Sequence, residues 1–172
     1  NTFEFLASYS GPKFNLLHFD LPYDVKLSEQ AGQAGFETEY DGEKSVDGKT
    51  FWDFLDAIAE AWPRIAADEC HVLFWFPMKH YERIRVWLTR LGLDVDPNCY
   101  IWNKNPTGIL RSPLFPRNIY EPCFIACGKQ RALVKNSVNC FSHNPDTRNR
   151  IHPSEKPQQV MQHLLSMFVD TH

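Results

Sequence analysis

An acid, a stiff turn and an aromatic ring stand side by side at Asp20, Leu21, Pro22 and Tyr23. They close a short apolar run, residues 13–20, that reads as a strand ending in the acid. The carboxyl ends of strands in α/β sheets are where ligands bind. An ionised carboxylate only accepts hydrogen bonds, and charge-assisted bonds are about twice as strong as neutral ones. A neighbouring ring can stack on a flat ligand, and Pro22 fixes the turn that aims both groups. The bland alternative is an acidic strand end with a turn proline, both common in turns.

A second polar group stands near the other end of the chain. His152, Pro153, Ser154, Glu155, Lys156 and Pro157 lead directly into the last apolar stripe. Read alone, this is a proline-rich helix start with Ser154 or Glu155 as its cap. The five cysteines are odd in number and lack the spacing of a disulfide framework. Cys123 and Cys127 fall on a segment that reads as a strand, where four positions span roughly 13 Å. One tetrahedral ion cannot reach both, since zinc–thiolate bonds are only about 2.3 Å long. Cys140 and His143 with His152 are a weaker zinc candidate, and buried free thiols are the expectation.

The elements that must position these groups alternate between strand and helix. After the first strand, residues 24–49 are polar and rich in Gly, Glu and Asp, so a long exposed loop is expected. Phe51, Phe54, Leu55, Ile58, Trp62 and Ile65 then recur at helical spacing. Thr50 is placed to cap them, and Pro63 to kink or break the helix near its end. Residues 70–76 form an apolar strand of the kind buried on both faces of a parallel sheet. A second helix carries Tyr81, Ile84, Trp87, Leu88 and Leu91, with Gly92 as its stop. Strands are expected at 98–103 and 119–127, a proline-containing loop at 104–118, and irregular chain at 129–155. Val160, Met161, Leu164, Leu165 and Phe168 mark a last helix after Pro157. This alternation predicts an α/β sheet with helices on both faces.

The chain's 172 residues suit one domain, or the larger part of one, and 43% hydrophobic with 23% charged residues is ordinary for a globular protein. Disordered, collagen-like and coiled-coil classes are thereby excluded. The longest apolar run, Val72 to Pro77, is too short for a bilayer, and no basic-then-apolar leader opens the chain. A cytoplasmic protein is expected, with no membrane partner. The first residue, Asn1, is what an excised piece of a longer chain would present. The net charge of −3 is unevenly spread. Residues 1–78 carry 5 Lys and Arg against 14 Asp and Glu, and residues 79–172 carry 13 against 7. The second part would attract a polyanion, with Lys104, Arg111, Arg117, Arg148 and Arg150 as candidate nucleic-acid contacts.

Taken together, the two polar groups resemble the N4-cytosine/N6-adenine DNA methyltransferases. The resemblance is to the circularly permuted group whose target-base motif, Asp/Asn/Ser-Pro-Pro-aromatic, precedes a His-Pro-x-x-Lys-Pro motif. The segments 100–104 and 120–129 fall where that family has strands of its catalytic core. The resemblance implies a Rossmann-like methyltransferase sheet over 1–172 and a short target-recognition segment at 129–151. It implies Asp20, Leu21, Pro22 and Tyr23 as catalytic residues acting on a base flipped out of duplex DNA. It implies His152, Pro153, Ser154, Lys156 and Pro157 as the lining of an S-adenosylmethionine pocket, with Lys156 bonding helix-end or phosphate oxygens as the alternative. Leu21 stands where the family usually has proline, a mild departure if that residue contributes its carbonyl. The family's glycine-rich donor turn follows its last helix, and no such turn occurs before His172. A truncated chain, aided by a separate specificity domain or subunit, is therefore expected. Asp at the first motif position favours adenine N6 over cytosine N4. RNA adenine methylation and a non-catalytic nucleic-acid-binding fragment are the competing readings.

Overall fold

Over the described residues (2–21, 48–104, 116, 118–144 and 155–170), the computed structural model has six strands and four α-helices. The strands are β1 (Phe14–Phe19), β2 (Ala66–Trp75), β3 (Asp94–Val95), β4 (Tyr100–Asn103), β5 (Tyr120–Cys127) and β6 (Cys140–Ser142). They form one sheet in the order β1-β2-β5-β4-β6, with β3 also beside β5. The helices are α1 (Thr2–Ser8), α2 (Phe51–Ile65), α3 (Tyr81–Arg90) and α4 (Gln158–Leu165).

Period-two alternation divides the sheet into two faces. Val72, Phe74, Phe124 and Ala126 point to one side, where they pack with Phe51, Leu55 and Ile58 of α2 and Ile84 and Leu88 of α3. Leu73, Trp75, Tyr100, Trp102 and Cys123 point to the other, against Val160 and Leu164 of α4 with Met167 and Phe168. The expected α/β architecture with helices on both faces is what the chain adopts.

Local chemistry explains where the helices begin and end. The Thr50 hydroxyl accepts the Asp53 backbone N–H at 3.2 Å, and the Asp53 carboxylate accepts the Thr50 N–H at 2.6 Å. This reciprocal cap, worth ~1 kcal/mol, starts α2 where its apolar stripe begins. Pro63 occupies the last turn, and the helix ends at Ile65. Helix α3 ends at Arg90 and is capped by Leu91; Gly92 just beyond turns the chain away with a φ of +84°, in the left-handed region that a side chain disfavours. Gly128 closes β5 for a different reason. A Cβ there would lie 2.4 Å from the Asp68 carbonyl oxygen, because its N–H donates to the Cys70 carbonyl at 2.9 Å.

Several expectations are corrected. The sheet is mixed, not parallel: β1–β2 and β4–β6 are parallel, whereas β5 runs antiparallel to β2, β3 and β4. The 70–76 run is buried on both faces because helices cover both, whichever way its neighbours run. Residues 129–155 are not wholly irregular, since β6 lies within them, and α1 and β3 were not anticipated. Cys123 is buried as a strand residue and burial pushes its thiol well above the ordinary range, but Cys140 is exposed. Among the described residues no helix is long and apolar enough to cross a membrane. Of the 24–49 loop only Gly48 and Lys49 are described, and of the 129–151 segment only 129–144.

Candidate active site

The strand directions bring one edge of the sheet together from distant parts of the sequence. β1, β2 and β4 end there and β5 begins there, with Asn103 of β4 opposite Tyr120 of β5. Leu16, His18 and Asp20 alternate onto the α4 face from β1, as do Leu73 and Trp75 from β2 and Glu121 and Cys123 from β5. The chain then delivers Lys156 to the same edge, just ahead of α4, where buried Pro157 is the N-cap.

Four charges meet in a line. The Lys156 ammonium lies 2.8 Å from Asp20 Oδ2 and 3.0 Å from Oδ1, and 3.1 Å from Glu121 Oε2. The other Glu121 oxygen, Oε1, accepts from Lys104. The Lys156 side chain is only 7% exposed, against 29% for Asp20. Two tryptophans floor the row, with Lys156 Nζ 5.0 Å from the Trp75 ring centre and Lys104 Nζ 4.8 Å from that of Trp102. The Trp75 indole N–H donates to His18 Nε2 at 2.9 Å. That nitrogen must therefore be the unprotonated one. Burial holds the His18 imidazole below its ordinary value, with Asp20 raising and Lys156 lowering it in smaller measure.

Burial by itself would lower the Lys156 ammonium and raise the Glu121 carboxyl. Their mutual attraction outweighs it, with help from Asp20 on the lysine and Lys104 on the glutamate. Lys156 is held above its ordinary range and Glu121 below its own. A carboxyl depressed on folding stabilises the fold fully above its unfolded pKa, near 4.5, and the contribution disappears as pH falls through the folded value. Glu121→Gln is therefore expected to lose less stability than wild type as pH falls below the unfolded value near 4.5. Urea denaturation midpoints across that window provide the check; parallel curves would remove the assignment.

Among the sequence-derived candidates, the structure brings Asp20, Leu21, Lys156, Pro157 and Lys104 to this edge. Lys156 takes partners that the sequence reading did not name, and Lys104 is turned onto Glu121 and Trp102. Pro22, Tyr23, His152, Pro153, Ser154, Arg111, Arg117, Arg148 and Arg150 lie outside the described residues. Sequence reasoning missed Glu121, Trp75 and His18 as parts of the site. A signal for Glu121 was present: it is the one charge in the otherwise apolar run 120–127. The described residues contain no cluster suited to a metal. His143 stacks on Phe141 at 6.3 Å, and His80 on Phe51 at 5.7 Å.

A cavity of about 350 Å³ opens beside β1, walled by Leu17, Phe19, Leu21, Ile58 and Ile65 with Asp20 among its lining residues. Its size is that of a small-molecule pocket.

No family model matches the chain, and no curated protein matches it by sequence. Solved structures do match by shape. The crystal structure of the M1.HpyAVI–SAM complex superposes with a TM-score of 0.66 at 16% identity, covering 98% of this chain and 74% of that one. A crystal structure of M1.HpyAVI gives 0.55 at 15%, covering 92% and 66%. The chain thus spans about two thirds to three quarters of the length of these proteins. At such identities the likeness is one of architecture, and this chain has the mixed α/β fold of M1.HpyAVI.

Proposed function

We propose that this chain carries the catalytic corner of an S-adenosylmethionine-dependent DNA methyltransferase acting on the exocyclic amino group of an extruded base, adenine N6. One observation carries the reading. Asp20 and Lys156, from two motifs at opposite ends of the sequence, are in direct contact at the carboxyl edge of the sheet. The shared architecture with a SAM complex supports it.

The chemistry suits the residue types. The amino nitrogen of adenine is a poor nucleophile because its lone pair is delocalised into the ring. Asp20 accepts one of its N–H bonds and the Leu21 carbonyl the other, which draws the nitrogen towards tetrahedral geometry and frees the pair. Tyr23 stacks on the extruded base, worth about 1–3 kcal/mol, after the base has left the duplex. Bound S-adenosylmethionine supplies an electrophilic methyl group on a sulfonium centre. The cavity beside β1, with its apolar walls, is of a size for the nucleoside of such a ligand. Pro157 and the 152–154 segment border the donor. Holding donor and amine in line provides much of the rate. Duplex DNA is the substrate, the basic second part of the chain its attraction, and a separate specificity domain or subunit the reader of sequence.

The test is competition. The full-length protein is given methyl-labelled S-adenosylmethionine with duplex DNA and RNA together, and the methylated nucleosides are separated. Label in N6-methyladenine from DNA is expected. Label in N4-methylcytosine would move the reaction to cytosine, and label confined to RNA would move it to RNA. No label in either, from folded protein, would leave a nucleic-acid-binding module.

A further inference from the structure

The Lys156 ammonium has three N–H donors and three carboxylate oxygens around it: both oxygens of Asp20 and one of Glu121. Its backbone is fixed by buried Pro157 at the start of α4. A cation at a helix N-terminus lies at the wrong end of the helix dipole, and a nearly buried one loses hydration as well. Lys156 is therefore a costly residue here, and two carboxylates are what offset it. Glu121 in turn divides its oxygens between two lysines, one each, so its own orientation is set from both sides. Lys104, which holds it, rests on Trp102.

We propose that Lys156, anchored by Glu121, is the positioning residue of this site, holding the Asp20 carboxylate in the orientation that receives the amine. The inference rests on the functional reading above and deepens it. It gives Lys156 a task at the target base rather than at the methyl donor, and it brings in Glu121, a residue outside both motifs. A proton relay through the same line of groups is disfavoured. Lys156 is held above its ordinary range and Glu121 below, so passing a proton from one to the other runs uphill. The line is built to keep its charges where they are.

Two variants of the full-length protein and one spectrum decide it. Lys156→Met is expected to lower kcat about 10²-fold, the scale of a misplaced reacting group, with S-adenosylmethionine affinity by calorimetry within about two-fold of wild type. Glu121→Gln, nearly isosteric, is expected to lower kcat in the wild-type background and to have no further effect beside Lys156→Met, because it acts only through that lysine. Weakened donor binding in Lys156→Met, with normal kcat at saturating donor, would overturn the proposal and return Lys156 to the donor pocket. Full additivity of the two losses would overturn the role of Glu121. The spectrum is independent of turnover. The Lys156 ammonium, nearly buried and fully bonded, should give a slowly exchanging 15N–1H resonance that moves or broadens in both Asp20→Asn and Glu121→Gln. An unmoved resonance would sink the proposal. If wild type transferred no methyl group, the functional reading would fall by itself, and the resonance would still report whether the lysine holds the acid.

Discussion

Asp20→Ala is expected to abolish methyl transfer and to leave the chain folded. The expectation follows from where Asp20 sits and what else depends on it. Its side chain is 29% exposed at the end of β1, outside both apolar clusters, so removing it opens no core cavity. Lys156 loses two of its three carboxylate oxygens but keeps Glu121. The stability cost should therefore be smaller than the ~3–5 kcal/mol of breaking a fully buried pair. Catalysis has no such reserve. An absent acceptor leaves the amine lone pair delocalised, and loss of a charge-assisted acceptor aimed at the reacting group costs about 10²–10³-fold or more in rate. Asp20→Asn, which keeps an acceptor oxygen and loses the charge, should be slower than wild type but less impaired than Asp20→Ala. Methyl transfer measured beside far-UV circular dichroism separates the two effects. Turnover at the wild-type rate by either variant would end the proposed role of this residue.

Trp75→Ala is expected to have the largest effect on stability, about 3–5 kcal/mol, the range for truncating a buried aromatic. Natural domains are stable by only about 5–15 kcal/mol, so the variant would stand near the edge of folding. Trp75 is completely buried, meets Tyr100 edge-on at 6.1 Å, and lies opposite Cys123 at the carboxyl end of β2, on the α4 face. It also connects the core to the site, since its N–H holds His18 and its ring lies under Lys156. Trp75→Phe keeps most of the buried area and removes the hydrogen bond, so a loss of about 1–2 kcal/mol is expected. Urea denaturation of both variants gives the comparison. A Trp75→Ala midpoint within error of wild type would mean that this ring does not organise the face.

These two residues also mark the boundary between what can and cannot be read along a chain. Asp20 was legible because its signal is local: an acid, a turn proline and a ring after an apolar run. Helices α2, α3 and α4 were legible for a similar reason, because burial at every third or fourth residue leaves its period in the sequence. The Thr50 cap and the Gly92 stop belong to the same class. Trp75, by contrast, looked like any residue in a continuous apolar strand.

Amino-acid order by itself determined strands β1, β2, β4 and β5 and helices α2, α3 and α4, that helices would cover both faces of the sheet, and that an acid would stand at a strand's end. The tertiary structure alone decided the direction of β5, because burial fixes which side chains point inward and is indifferent to which way a neighbouring strand runs. It alone made strands of the two residues of β3 and the three of β6, whose backbone groups pair only because β5 and β4 offer them partners. It alone also put Lys156 on Asp20, 136 positions away, with Glu121 between the two lysines. An ion pair leaves no periodic trace in a sequence. It forms where the chain's path sets opposite charges within reach, and here that path is fixed by the packing of α4 on the sheet.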